Sequence, residues 1–159
     1  MTQGEPPPDD LVDAALDVLA DDPELAVSLA RRAVDRRPGA HARYVLGVAL
    51  IETGELAEGL EALQETVTED PHHVDAWVAI AGGLFDALQF ESAAGAVAAA
   101  LRLDPLQPDA LYLRACLRER KGDRDGAARA YQAAALADPD GFPVPVPLNA
   151  VLFCTPRCP

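Results

Sequence analysis

Along most of the chain, apolar residues recur every three or four positions, the period of helices that each bury one face. Leu11, Ala15, Leu16 and Leu19 make one stripe, and Leu25, Ala26, Leu29, Ala30 and Ala33 make the next. Ala76, Trp77, Ile80 and Leu84 make another, followed after a break around Gln89 by Phe90, Ala93, Ala94, Val97 and Leu101. The breaks carry their own chemistry. Asp21-Asp22-Pro23 supplies an N-cap and a first-turn proline. Further along, a proline closes the second helix of each pair, because its ring disfavours helical geometry in the residue before it and its nitrogen has no proton to donate. The pattern predicts an all-α chain of paired helices.

The pairs repeat. Asp70-Pro71, Asp104-Pro105 and Asp138-Pro139 are one dipeptide spaced 34 residues apart, which defines blocks 40–73, 74–107 and 108–141. Other columns then align: Gly54 with Gly122; Gly59 with Ala93 and Ala127; Leu63 with Val97 and Tyr131; Gly47 with Ala81 and Ala115. Small residues recur where helices approach closely. Two helices of about 14 residues cannot enclose a core alone, so successive hairpins are expected to stack and share apolar faces, leaving a concave surface. Residues 9–39 read as a degenerate capping hairpin whose Pro38 is one residue off register, residues 1–8 as a disordered start.

These blocks resemble the tetratricopeptide repeat. The middle block carries the likeness best, with Trp77, Ile80-Ala81, Leu84, Ala93, Val97 and Pro105. The first has Arg43, Leu46-Gly47, Leu50, Gly59, Leu63 and Pro71; the third has Leu111, Ala115, Ala127, Tyr131 and Pro139, with Arg114 and Arg118 in slots that are usually apolar. The resemblance implies a right-handed superhelical stack of antiparallel helical hairpins. It also implies a peptide-binding groove lined by the first helix of each repeat: His41, Tyr44, Val48, Ile51 and Glu52; Asp75, Val78, Gly82, Phe85 and Asp86; Asp109, Tyr112, Cys116, Glu119 and Arg120. Members that hold a peptide's terminal carboxylate need several cations there. Arg120 is the one cation in this set, so an extended peptide with apolar anchors and flanking Lys or Arg fits better. In the alternative, Tyr44, Val78 and Tyr112 pack beneath the chain's own tail.

Residues 142–159 form that tail. They include Phe142-Pro143-Val144-Pro145-Val146-Pro147, too rich in proline for a regular helix over most of their length and too apolar for a solvated linker. They are expected to be extended, packed on the array or held by a partner. Cys154 and Cys158, spaced Cys-x-x-x-Cys, are candidates for a small disulfide or a shared soft metal, or are incidental thiols; two thiolates do not complete a tetrahedral zinc site.

Composition narrows the function. The 159 residues hold 13 Lys and Arg against 26 Asp and Glu, a net charge of −13 that disfavours binding to the nucleic-acid backbone. Residues 1–39 carry four basic and nine acidic side chains, and 40–73 carry one and seven. Residues 108–141 carry six of each, including Arg114, Arg118, Arg120, Lys121, Arg124 and Arg129, so self-association through the carboxyl-terminal end is an open reading. No stretch reaches the roughly 20 apolar residues of a membrane helix. The acidic, proline-rich start does not read as a secretory signal, and cytoplasmic residence is the default expectation. His41, His72 and His73 show no helical chelate spacing, no glycine-rich phosphate loop occurs, and nothing pairs a nucleophile with a base. The chain therefore reads as a non-catalytic, cofactor-free module that binds a protein or peptide partner. The rivals are a docking domain of an enzyme and a thiol- or metal-responsive adaptor.

Overall fold

The computed structural model describes residues 6–141. Among them eight α-helices follow one another and no strand occurs. They are α1 (Pro8–Val18), α2 (Pro23–Arg36), α3 (Ala40–Glu52), α4 (Leu56–Glu69), α5 (Val74–Asp86), α6 (Phe90–Leu103), α7 (Pro108–Arg120) and α8 (Arg124–Ala137). The chain divides into two compact units, Met1–Ala79 and Ile80–Pro159, with α5 contributing residues to both.

In the first unit α1 packs on α2, α2 on α3 and α3 on α4, and α1 also touches α3. Leu11, Val12, Ala15, Ala26, Val27, Ala30, Ala33, Ala42, Val45, Ala49 and Leu50 form one buried cluster. Alanine dominates it because short side chains let helix axes approach, so close packing rather than large apolar residues supplies much of the core. Where α3 and α4 cross, α3 presents Gly47 to Gly59 of α4. Helix α1 begins at Pro8, inside the segment that composition assigns to a disordered start; proline suits the first helical turn, whose N–H groups have no intrahelical acceptor. Asp22 caps α2 by accepting from the Leu25 N–H at 3.0 Å.

In the second unit α6 packs on α7 and α7 on α8. Ile80, Phe85, Val97, Leu111 and Leu117 are buried there among alanines that include Ala93, Ala100, Ala115, Ala127 and Ala134. Gln107 caps α7 through Ala110 N–H at 2.7 Å, and Asp123 caps α8 through Gly126 N–H at 2.9 Å.

Two local devices recur at the 34-residue spacing. The first ends α3, α5 and α7. Gly54, Leu88 and Gly122 take positive φ angles of 87°, 60° and 81°. Each donates its N–H three residues back while the next residue donates five residues back, as in Glu55 to Leu50 at 2.8 Å. That paired pattern satisfies carbonyls the helix end would otherwise strand. The second device explains the repeated Asp-Pro. Asp70, Asp104 and Asp138 are extended, as the residue before a proline prefers. Their carboxylates then accept backbone N–H groups beyond the proline, from His72 at 3.0 Å, Leu106 at 3.0 Å and Gly141 at 2.9 Å. Aspartate stops the helix and rebuilds the turn at one position.

Candidate functional site

Spacing along α3 places His41, Tyr44, Val48, Ile51 and Glu52 on one helical stripe. His41 and Glu52 are exposed and Tyr44, Val48 and Ile51 half-buried. Packing brings to this stripe a residue from outside the predicted set. His73, just before α5, lies 4.7 Å from Tyr44 between ring centroids, tilted by 37°. His41 is 6.3 Å from Tyr44 and 6.5 Å from His73, each pair within 19° of parallel. Three rings from α3 and the α4–α5 turn thus form one cluster.

His73 is held in place. Its Nδ1 accepts the Ala76 N–H at 3.2 Å, capping α5 and putting the neutral ring's proton on Nε2. The turn behind it is held too: the Trp77 indole donates to the Pro71 carbonyl at 3.0 Å. Arg43, which stands in the repeat column of Trp77, meets Glu65 at 3.1 Å and also pairs with Glu69. Its charge is thereby neutralised, while Glu52 and Asp75 stay exposed near the two ends of the predicted set. The face is aromatic and apolar with acidic flanks. Val78, half-buried, continues the set on α5 within the same unit.

The second unit treats its predicted residues differently. Phe85 and Cys116 are buried, at 5% and 2% exposure. Phe85 meets Phe90 edge-on at 5.4 Å, and Arg120 lies 3.8 Å above the Phe90 ring, a cation–π contact. Tyr112 meets Tyr131 edge-on at 5.4 Å. Tyr131 donates to Glu119 at 3.0 Å, so the Cys116 thiol, 3.3 Å away, is the donor to the phenol oxygen. Burial first, then Cys116 and Glu119, push the phenol well above its ordinary pKa. Gly82 is half-buried with open space where a Cβ would stand. These residues serve packing as much as surface. Sequence spacing groups these residues on a helix face but cannot tell which of their side chains neighbouring helices cover.

A cleft of about 120 Å³ beside His41 is lined by Pro8, Asp9, Val12, Arg37, Gly39 and Ala42. It is smaller than the roughly 300 Å³ at which pockets for small ligands begin. Among the described residues no group of three or more His, Cys, Asp or Glu side chains is placed to hold a metal ion, and no helix is long and apolar enough to cross a membrane. Cys154, Cys158 and the rest of the predicted tail lie outside the described residues.

The tetratricopeptide-repeat family model matches residues 11–74 and 78–142. No curated protein matches the sequence. Among solved structures, MamA superposes with a TM-score of 0.72 at 20% identity, over 84% of this chain and 80% of that one. A thermophilic TPR protein of Thermus thermophilus gives 0.76 at 18% identity, over 83% and 75%. YrrB, described as a TPR protein with an unusual peptide-binding site, gives 0.67 at 20% identity, over 82% and 68%. At these identities the likeness is one of fold.

Proposed function

For a chain that belongs to the tetratricopeptide-repeat family, we propose a non-catalytic role: binding an extended segment of a protein partner on the α3 face of the first unit. The fold is that of protein-interaction scaffolds, whose function lies in the residues a given face presents. The observation that carries the reading is the cluster of His41, Tyr44 and His73, three rings gathered from two elements beside half-buried Val48 and Ile51. Aromatic rings anchored by packing make good contact surface because little side-chain freedom remains to be lost on binding. Glu52 and Asp75 favour a partner segment with an apolar or aromatic anchor flanked by Lys or Arg. The unusual peptide-binding site named for YrrB is a precedent for a fold of this kind, not for these residues.

The test is a titration of the full chain with synthetic peptides of about ten residues that carry an aromatic anchor with or without flanking lysines, followed by amide NMR. The basic-flanked peptides should shift resonances of α3 and the α4–α5 turn, and Tyr44→Ala should weaken binding about tenfold, equivalent to about 1.4 kcal/mol. Shifts confined to other helices, or binding that Tyr44→Ala and His41→Ala leave intact, would refute the assignment.

A further inference from the structure

We propose that the chain associates with a second copy of itself by setting the Arg114–Arg118 face of α7 in one copy against the Asp10–Asp13–Asp17 face of α1 in the other. This goes beyond the partner reading and uses neither His41 nor Tyr44.

The α7 side rests on a cation in an unfavourable place. Arg114 and Arg118 are one turn apart and so share a face. They occupy columns filled by Leu46 and Leu50 in the first repeat and Ile80 and Leu84 in the second. Arg114 is half-buried, and its Nε is shielded from solvent with no hydrogen-bond partner among the described residues. Burial, then the like charge of Arg118, pull its pKa below the ordinary value. Arg118 has Asp123 at 3.4 Å, a carboxylate on its own flank. A desolvated guanidinium beside a second cation is relieved by a carboxylate, which its planar fork can bind through two nitrogens.

The α1 side supplies carboxylates. Helix α1 contains Asp9, Asp10, Asp13 and Asp17 and no basic residue. Asp9 is taken by Arg37, whereas Asp10, Asp13 and Asp17 are exposed, follow one stripe, and have no ion-pair partner among the described residues. Leu16 beside them is 40% exposed and adds an apolar contact. On α4, by contrast, Glu58 pairs with Arg31, and Glu65 and Glu69 pair with Arg43. The chain's own residues 142–159 carry Arg157 and no Asp or Glu, so they lack the side-chain carboxylate the site calls for. The two faces are different, so the contact is heterologous, and each added copy leaves one of each face free for the next.

Sedimentation velocity on the full chain, up to about 1 mM protein, tests this at about 0.1 M and about 1 M NaCl, where the Debye length falls from about 10 Å to about 3 Å. The average mass should rise at least about twofold over the monomer at the lower salt and return to monomer at the higher. Arg118→Glu, at a side chain 43% exposed, and the double variant Asp13→Lys with Asp17→Lys should each remain monomeric, with unchanged helical circular dichroism. Their mixture should associate again, because the Arg pair of one still meets the Asp stripe of the other; misfolding cannot produce that recovery. A chain that stays monomeric at the lower salt overturns the proposal. So does association that both variants leave unchanged, which would assign it to another surface or to residues 142–159.

Discussion

The backbones of Gly47 and Gly59 meet with no room for a methyl group between them. A Cβ on Gly47 would stand 2.9 Å from the Gly59 carbonyl oxygen, and one on Gly59 would stand 2.8 Å from the Gly47 carbonyl oxygen. In the two later blocks the same columns hold alanine, Ala81 with Ala93 and Ala115 with Ala127.

Alanine at Gly47 brings two opposed effects. Helix propensity gains roughly 0.5–1 kcal/mol, while forcing a group into a packed crossing costs roughly 1–3 kcal/mol. Because the obstacle is backbone, the second effect should win, and Gly47→Ala is expected to lower stability by about 1–2 kcal/mol in urea unfolding. Gly95 of α6 has open space around its missing Cβ, and Gly95→Ala should instead raise stability by roughly 0.5–1 kcal/mol. Equal effects at the two sites would contradict the crossing geometry.

Leu88 stands where the flanking repeats have Gly54 and Gly122, with φ 60° and a side chain 63% exposed. A left-handed conformation costs a β-carbon-bearing residue roughly 1–2 kcal/mol, and little burial offsets it here. Leu88→Gly should therefore raise the unfolding midpoint, with a gain of about 1 kcal/mol, whereas Gly54→Ala and Gly122→Ala should each lose about that much. Thermal unfolding of the three variants side by side checks the ranking.

The carboxylate of Asp104 caps the Leu106 N–H. Removing such an acceptor in Asp104→Ala is expected to lower stability by about 0.5–1.5 kcal/mol and to speed hydrogen exchange at Leu106 before exchange elsewhere in α6 and α7. Asp104→Asn, which keeps the acceptor oxygen, should recover most of the loss. A uniform change in exchange would show that the turn is not a local device.

Tyr131 gives a pH signature. Its folded pKa lies above the ordinary 10.0, so the folded chain holds the phenol proton when the unfolded chain releases it. The contribution is fully present below about pH 10 and shrinks as pH rises further, because the unfolded state then binds fewer protons. Tyr131→Phe removes the bond to Glu119 and the acceptor for Cys116. It should cost about 1 kcal/mol near neutral pH, and the gap from the parent chain should narrow above about pH 10. A gap independent of pH would mean that the phenol titrates normally.

The helices, their ends and their pairing were legible because they depend on short-range rules. An apolar residue every three or four positions, a proline that cannot continue a helix and an aspartate before it act within a few residues of chain. The repeat register followed from Asp70-Pro71 recurring at Asp104-Pro105 and Asp138-Pro139. Even Arg114 and Arg118 stood out by their columns. The meeting of His73 with His41 and Tyr44 was not legible, since His73 lies about thirty residues along the chain from His41 and reaches it by packing. Nor was the burial of Phe85 and Cys116, which share the helix face of exposed residues but are covered by neighbouring side chains. Periodicity by itself determined which way each helix faces; only the tertiary structure decided what lies opposite, because burial and unpaired charge are properties of two surfaces in contact and not of either sequence segment alone.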